Sequence, residues 1–470
     1  MGIQEGVWRS AGEGVSALRS AEFARPSTKE RVAAGRAKRL TTPREIHASW
    51  KPAPGRPDPV AILKGEGVTR MQDLLPLRYG RMSVSPFTFY RGAAAIMASD
   101  LAGTPNSGLQ VQLCGDCHLS NFGVYASPER KQVFDLNDFD ETLPGPWEWD
   151  LKRLVASFVV GCRSTGFTAA DGRAAALAVT AAYRARMAEL AKMSNLEVWY
   201  AHIEVEQVLD QLPNKQMRKK TEAILTKARS KDNLKAFAKL TETVDGHAQF
   251  RNDPPVLERV ETPDLALRVW RLTRKYAQTL QHERRKLLEQ FQPVDVARKV
   301  VGVGSVGTRC MVVLMEGRDE QDPLFLQAKE AEPSVLEGHL PKSKYRNNGQ
   351  RVVVGQRTMQ SVSDIFLGWI KSEQGQDFYF RQLQDMKGSF EIEGALPAGV
   401  NIYAQVCGRV LARAHARAGD RVQLAAYLGK SPKLDVAMAD FAEAYADQNE
   451  RDYEALTKSI KSGKLPAVMG

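Results

Sequence analysis

Two repeat lengths in the pattern of hydrophobic and polar residues predict which segments of the chain are helices and which are strands. Apolar residues recur every three to four positions in the predicted helices, which cover 59–75, 92–102, 148–162, 168–194, 197–245, 264–291, 333–340, 355–370, 398–418 and 433–461. Short alternating or Val-rich runs predict strands at 109–113, on both sides of the "SPER" turn at 127–130, around 298–316, at 323–330 and at 377–383. Helices and short strands in this order predict an α+β fold.

One segment between the first two predicted helices has a mixed character. "LRYGRMSVSPFTFYRG" (77–92) carries Arg78, Arg81 and Arg91 together with several aromatic residues. We expect a loop here, and two interpretations stay open. The loop either packs its aromatic side chains into the core or presents its arginines as a wall for an anion or substrate.

Composition limits the class of protein. The 470 residues are enough for two or three packed units, and 43% hydrophobic and 26% charged residues are typical of a globular protein. No apolar run approaches the roughly 18 residues of a membrane span, and the N-terminal residues lack the apolar core of a signal peptide, so we expect a cytoplasmic protein. Residues 1–58 hold 11 Lys and Arg against 6 Asp and Glu, which predicts a flexible basic arm. Such an arm could also contact nucleic acid, although no nucleic-acid motif accompanies it.

The stretch "LCGDCHLSNFG" (113–123) is compatible with three chemistries. Cys114 and Cys117 form a C-x-x-C pair, and His118 extends this to the spacing of a haem attachment site. Covalent haem attachment does not suit a cytoplasmic protein, and zinc would need four ligands where three are present. Asp116 and Asn121 have the spacing of the catalytic Asp and metal-binding Asn of a phosphotransferase.

A second motif, at residues 302–307, supports the phosphotransferase interpretation. Gly302, Gly304 and Gly307 match G-x-G-x-x-G, with Ser305 inside the motif. The residues that follow predict a strand rather than the helix of a dinucleotide fold, so the glycines fit a kinase loop that covers nucleotide phosphates. The next predicted strand ends at Lys329, which would face the phosphates, and Glu337 on the following helix is its expected partner, with Glu330 and Glu332 behind it.

An acidic run completes the set of expected site residues. Asp135, Asp138, Asp140 and Glu141 lie within seven residues and would repel one another unless they are solvated or bind a metal ion. We expect Asn121, Asp138 and Asp140 to bind Mg²⁺. In this interpretation Asp116 is the catalytic base, His118 supports its loop, and the two cysteines are small packing residues.

These segments resemble known families. "GDCHLSNFG" and "VFDLNDFDETLPGPWEWDLKRL" resemble the catalytic and metal loops of aminoglycoside and choline-type phosphotransferases, and "RVLARAHARAG" resembles the helix before their catalytic loop. From about residue 55 the chain also resembles the bacterial domain-of-unknown-function family numbered 2252, through segments such as "VGVGSVGTR" and "FYFRQLQDMKGS". The first resemblance implies a protein-kinase-like fold of two lobes, with ATP and Mg²⁺ as cofactors.

The motif order departs from that of kinases, because the Asp116 loop precedes the glycine-rich segment. A circular permutation is the simplest explanation of this order, and the alternative is that one of the two motifs is accidental. The permutation divides the chain into the basic arm (1–58), a catalytic and metal-loop part of the large lobe (59–165), a helical part (166–296), a nucleotide-binding small lobe (297–390) and C-terminal helices (391–470).

We therefore expect an ATP- and Mg²⁺-dependent phosphotransferase whose hydroxyl acceptor, a small molecule or a protein, is not identified by the sequence. Nucleotidyl transfer with ATP bound in the opposite sense is a close alternative. A catalytically silent nucleotide-binding scaffold and a C-x-x-C redox protein are alternatives from other classes.

Overall fold

The computed structural model describes residues 26–205, 209, 215–230, 233–261, 264–383 and 385–469. The helices are α1 (Thr28–Thr41), α2 (Pro59–Gly67), α3 (Leu75–Met82), α4 (Pro86–Arg91), α5 (Ala94–Ala102), α6 (Trp147–Ser164), α7 (Ala169–Leu190), α8 (Asn195–Tyr200), α9 (Lys215–Arg229), α10 (Asn233–Leu240), α11 (Leu265–Ala277), α12 (His282–Leu288), α13 (Asn348–Met359), α14 (Pro397–Ala418), α15 (Arg421–Leu428) and α16 (Lys433–Lys461). Short 3₁₀ turns lie at Arg44–Ala48, Gln72–Leu74, Leu119–Asn121, Val303–Ser305 and Val335–Gly338.

The strands are β1 (Gln110–Leu113), β2 (Phe122–Ala126), β3 (Gln132–Leu136), β4 (Leu143–Pro146), β5 (Thr241–Val244), β6 (His247–Phe250), β7 (Leu257–Arg259), β8 (Gln292–Lys299), β9 (Cys310–Glu316), β10 (Pro323–Glu330), β11 (Gly368–Lys371), β12 (Asp377–Gln382) and β13 (Gly388–Ser389). Six of them form an antiparallel sheet in the order β11-β12-β10-β9-β8-β7. The smaller sheets are β13-β2-β3, β1-β4 and β5-β6. The protein is therefore α+β, with helices and small antiparallel sheets.

The large core lies among the long helices α6, α7, α14 and α16. Helix α6 is buried around its whole circumference from Trp147 to Cys162, including its charged residues. The Trp147 ring stacks on that of Tyr183 at a centroid distance of 5.8 Å, which joins α6 to α7. Buried charges need partners, and Asp150 and Arg153 of α6 find theirs in the loop that follows β1.

The six-stranded sheet has its own apolar clusters. Tyr276 of α11 stacks on Phe380 of β12 with ring centroids 4.3 Å apart, and the two belong to the cluster on one face of the sheet. The opposite face packs around Phe250 and Phe325. This arrangement holds β10 rigidly in the centre of the sheet, where it carries Lys329.

Several predicted elements are confirmed. The hairpin around residues 127–130 and the strands at 109–113, 323–330 and 377–383 are present, and the helices predicted at 148–162, 398–418 and 433–461 match α6, α14 and α16 within a few residues. Among the residues that the structure describes, no helix is both long and apolar enough to cross a membrane.

Other predicted elements are wrong. The segment expected as a loop at 77–92 lies in α3 and α4, because Pro86 stands at the first helical position and Ser85 forms a capping box with Thr88. The long helix expected at 197–245 gives way to a β5-β6 hairpin, whose turn uses the positive φ angles of Asp245 and Gly246.

Residues 166–296, predicted as a helical part of the large lobe, also contain the strands β5, β6 and β7. Strand β8 already begins at Gln292. The helix expected at 264–291 is two helices, α11 and α12, and the strand expected from about 298 starts earlier. The helix expected at 355–370 begins instead at Asn348, where the Asn347 side chain caps it, and residues 368–371 form strand β11.

The described part of the basic arm is folded against the large core. Arg31 of α1 pairs with Asp420 at 2.6 Å, and Arg39 donates to the Tyr427 carbonyl at 2.7 Å. Gly35 packs so closely on α15 that a side chain there would collide with the Gln423 carbonyl. Residues 1–25, the rest of the predicted arm, lie outside the described residues.

Candidate active site

Helix α6 holds the loop that contains "GDCHLSN". The Asp150 carboxylate accepts the backbone N–H groups of Cys114 at 2.8 Å and Gly115 at 3.0 Å. One and two turns further along, Arg153 binds Asp116, and the Ser157 hydroxyl accepts the Leu119 N–H at 3.0 Å. Three polar residues on one face of a buried helix thus fix the loop that follows β1.

Gly115 is required by the same loop. Its φ of +86° is in the left-handed region, and a side chain at this position would lie 2.2 Å from the Glu141 carbonyl oxygen. The close approach brings the Asp116 loop against the acidic loop at 138–141. The two segments that sequence analysis assigned to one active site are therefore neighbours.

Asp116 lies at the base of a cavity with 21% of its side chain exposed. Arg153 Nε donates to its carboxylate at 2.5 Å, and His118 Nε2 lies 3.7 Å from the second carboxylate oxygen. Burial raises the pKa of Asp116, and the Arg153 guanidinium opposes this shift. The carboxylate is thus held in one orientation at a position where a base could act.

His118 and Asn121 support the loop around Asp116. Burial, together with the charges of Arg91 and Arg153, lowers the pKa of His118 well below its usual value, so its ring is neutral at pH 7. The Asn121 side-chain N–H donates to the Asp116 carbonyl at 2.6 Å, which leaves the amide oxygen available to a cation.

The C-x-x-C cysteines lie behind this loop in the core. Cys114 and Cys117 are both fully buried as free thiols. Burial raises the pKa of Cys117 to about 11 and that of Cys114 well above its usual value. Both thiols lie close to the Asp150 carboxylate. A thiolate, the reactive form, is disfavoured at both positions.

The acidic run divides into residues with different roles. Asp135 lies in β3, fully buried, where it pairs with Arg413 at 2.5 Å and accepts the Ser361 N–H and hydroxyl. Asp138 and Asp140 lie beyond the strand and line the cavity. Their side chains are similarly exposed, 33% for Asp138 and 27% for Asp140, but both Asp140 oxygens have partners in Lys329 and Tyr379, so Asp138 is the carboxylate more open to a ligand.

Lys329 reaches the same cavity from the six-stranded sheet. Its side chain is 2% exposed, and its ammonium group contacts the Asp140 carboxylate and lies 3.9 Å from Asp138. Burial disfavours the charged form of Lys329, but Asp138 and Asp140 raise its pKa above the usual value. Burial likewise opposes charge on Asp140, but Lys329 and the Tyr379 hydroxyl, which donates to Asp140 at 2.6 Å, lower its pKa.

The predicted partner of Lys329 is wrong. Glu337 lies on a 3₁₀ turn rather than on a helix, where it accepts the Ser334 N–H at 3.3 Å in a capping box and lies 3.9 Å from Arg351 Nε. The partners of Lys329 are instead Asp140 and Asp138 of the acidic loop. The loop between β3 and β4, rather than a helix, supplies the compensating charge.

The glycine-rich segment joins β8 to β9 and covers the cavity. Arg70 donates to the carbonyls of Gly304 at 2.9 Å and Val306 at 2.7 Å, so a side chain from the N-terminal part holds the loop in place. The Ser305 hydroxyl lies 3.5 Å from Asp140, at the outer limit of a hydrogen bond. Gly307 has a φ of +91° and packs on the Arg70 side chain at the rear of the loop.

The cavity between these elements has a volume of about 320 Å³, within the range of small-molecule sites. The sequence-predicted residues that line it are Asp116, His118, Asn121, Asp138, Asp140, Gly302, Gly304, Ser305 and Lys329. Gly307 and Glu337 are not among its lining residues.

Sequence reasoning missed other members of the site. Arg153 contacts Asp116, Tyr379 contacts Asp140, and Arg70 and Arg381 also line the cavity. Arg78 and Arg91, which the sequence offers as a possible anion wall, line it too. Arg153 had a signal that could have revealed it, because Asp150 and Arg153 are charged residues three positions apart, on one face of a helix whose residues 154–162 are all uncharged. Tyr379 had none, because an aromatic residue in a strand is ordinarily a core residue.

The fold and this cavity define an α+β protein with a buried ionic site between a helical body and an antiparallel sheet. The chain belongs to a bacterial family, DUF2252, described as an uncharacterized protein conserved in bacteria, whose family model matches residues 70–459. No curated protein and no solved structure matches the chain.

Proposed function

We propose that the protein is an ATP- and Mg²⁺-dependent phosphotransferase that acts on a hydroxyl acceptor. The observation that carries this proposal is the 3.9 Å approach of Lys329 to Asp138 inside the cavity that Asp116 also lines. A lysine, a glycine-rich loop, a metal-binding carboxylate and a base around one cavity are the parts that phosphoryl transfer requires.

The residues present fit a magnesium ion. Asp138 offers an exposed carboxylate, and the Asn121 amide oxygen lies in the same cavity. Asp140 fits less well, because both of its oxygens already have partners in Lys329 and Tyr379. When bound, Mg²⁺ would neutralise phosphate charge and orient the phosphate groups.

Asp116 would act on the acceptor. The acceptor oxygen attacks the terminal phosphorus of ATP, the bond from that phosphorus to the bridging oxygen breaks, and ADP leaves with the bridging oxygen. The hydroxyl proton passes to the Asp116 carboxylate and then to solvent. Arg153 orients this carboxylate and opposes the rise in its pKa that burial causes, which favours the ionised form that a general base needs.

Lys329 and the backbone N–H groups of the glycine-rich segment would stabilise the phosphate charge from the opposite side of the cavity. In this proposal Lys329 exchanges its contact with Asp140 for a phosphate oxygen when the nucleotide binds. The order of the two motif regions in the chain fits a circularly permuted kinase-like fold, in which the lobe with Lys329 follows the lobe with Asp116.

Two measurements test this proposal: the binding of MgATP and the transfer of a labelled phosphoryl group to an acceptor. Calorimetry with MgATP should show saturable binding to the wild-type protein. ATP labelled at the γ-phosphorus should transfer label to a compound in a panel of hydroxyl acceptors, and Asp116→Asn should bind MgATP but transfer none. Transfer of label from the α-phosphorus instead would establish nucleotidyl transfer, and absence of nucleotide binding at millimolar concentration would refute both.

A further inference from the structure

Arg91 ends helix α4 at the wall of the cavity. The preceding residue, Tyr90, is buried, and its ring lies 4.5 Å from the Arg153 guanidinium carbon. The Tyr90 carbonyl also accepts a hydrogen bond from Arg153 at 3.0 Å. Because Arg153 holds Asp116, the backbone that carries Arg91 is tied to the position of the proposed base.

Neighbouring arginines have structural partners. Arg70 and Arg81 donate to carbonyl groups in the glycine-rich segment, at distances of 2.7 to 2.9 Å. Arg78 is fully buried, pairs with Glu66 at 3.2 Å and donates to a backbone carbonyl at 3.3 Å. These side chains shape the wall and the cover of the cavity.

Arg91 differs from them. Guanidinium nitrogens without a partner also occur in Arg70 and Arg78, but those side chains donate through their other nitrogens. Arg91 has a buried Nε that donates to no group, and among the described residues no hydrogen-bond acceptor or ion-pair carboxylate contacts its guanidinium. At longer range the carboxylates of Asp116, Glu393 and Asp138 act on its charge, and a side chain added at Gly302 would lie 3.9 Å from its terminal nitrogen. The guanidinium therefore lies between the glycine-rich segment, the proposed base and the proposed metal ligand.

An unpaired cation in this position is costly without a ligand. Burial lowers the pKa of Arg91, which reflects the loss of hydration around its charge. An anion in the cavity would restore the lost interactions. A guanidinium presents a planar pair of N–H donors that matches two oxygens of a phosphate group.

We infer that Arg91 binds the terminal phosphate of the nucleotide and stabilises the charge that develops on it during transfer. This inference rests on the proposed phosphotransferase function and adds to it the residue that recognises the transferred group. The role corresponds to an arginine supplied within the same chain. It also resolves the two interpretations of residues 77–92, because the aromatic residues pack in the core while Arg91 faces the site.

Calorimetry with MgATP and MgADP distinguishes recognition of the terminal phosphate from a contribution to the binding of both nucleotides. Arg91→Met should weaken MgATP binding by about tenfold or more and leave MgADP binding within about twofold of the wild type, because only ATP carries the terminal phosphate. ATP turnover should fall by about 10³-fold. Arg91→Lys should recover part of the MgATP affinity, since it restores the charge without the planar donors.

Arg163→Met is the matched control. It removes an arginine that pairs with Asp447 and Glu450 on the surface, so binding and turnover should match the wild type. Equal weakening of both nucleotides by Arg91→Met, or no weakening of either, would overturn the assignment of Arg91 while leaving the phosphotransferase intact. A wild-type protein that binds neither nucleotide would instead refute the phosphotransferase itself.

Discussion

The ammonium group of Lys329 lies against the carboxylate of Asp140, although 189 positions of sequence separate the two residues. The contact joins the central strand of the six-stranded sheet to the acidic loop beside the Asp116 loop. Together with the hydrogen bond from Tyr379 to Asp140 it connects the two halves of the site, and it is the interaction that a nucleotide would have to replace. Its loss has consequences for stability as well as for activity.

Lys329→Met should destabilise the protein by about 3–5 kcal/mol, because it leaves the Asp138 and Asp140 carboxylates without their cation in a mostly buried site. Adding Asp140→Asn should recover much of this loss, since the double variant removes the unbalanced charge. Denaturant unfolding of the two single variants and the double variant measures the coupling. ATP turnover should be abolished whenever Lys329 is absent. A stable and fully active Lys329→Met protein would show that the pair has neither role.

Substitution of Asp138 and substitution of Asp116 should affect nucleotide binding differently. Asp138→Ala should abolish the Mg²⁺-dependent part of ATP binding, because it removes the exposed carboxylate proposed as a metal ligand. Asp116→Ala should lower turnover strongly with a smaller effect on MgATP affinity, since this carboxylate faces the acceptor. Calorimetry with and without Mg²⁺ distinguishes the two variants, and equal losses in both would contradict the assigned roles.

The thiols should be inert in the folded protein. All five cysteines are buried, and burial raises the pKa of Cys117 to about 11. A thiol reagent at pH 7 should label the native protein slowly and label all five cysteines after unfolding. Cys117→Ala should retain turnover. Rapid labelling of two thiols in the native state, or loss of turnover on oxidation, would favour a redox function instead.

Some site residues could be predicted from sequence because their residue types occur at a characteristic spacing within a short segment. Asp116 and Asn121 are five residues apart, and both line the cavity. Lys329 was recognisable because it ends an apolar strand that follows a glycine-rich turn. Each of these signals depends on a few consecutive residues whose backbone conformation is set locally.

The partners of these residues could not be predicted in the same way. Whether Asp140 or Glu337 pairs with Lys329 depends on how the sheet packs on the acidic loop, which no local pattern encodes. The loop expected at 77–92 is wrong for a related reason, because the two helices there are too short to show helical periodicity and are stabilised by tertiary burial of Phe89 and Tyr90. The Ser85 and Pro86 start signal was the available clue.

Arg153 should set the pH dependence of turnover. Burial raises the pKa of Asp116, and Arg153 opposes that shift, so removal of the guanidinium should raise the pKa further. A general base must be ionised to act, and its active form is lost as the pH falls through its pKa. The acidic limb of the kcat profile should therefore move to higher pH in Arg153→Met, with turnover at neutral pH reduced by about 10²-fold or more.

Arg153→Lys separates this effect from a folding defect. Lysine keeps the positive charge beside Asp116 but loses the second contact, from the guanidinium to the Tyr90 carbonyl at 3.0 Å. Its acidic limb should lie between those of the wild type and Arg153→Met, while its unfolding midpoint stays closer to the wild type. If both variants lose turnover with no movement of the limb, Arg153 only maintains the structure of the loop. If neither loses turnover, Asp116 is not the base, because the guanidinium that binds its carboxylate could then be removed without effect on the chemistry.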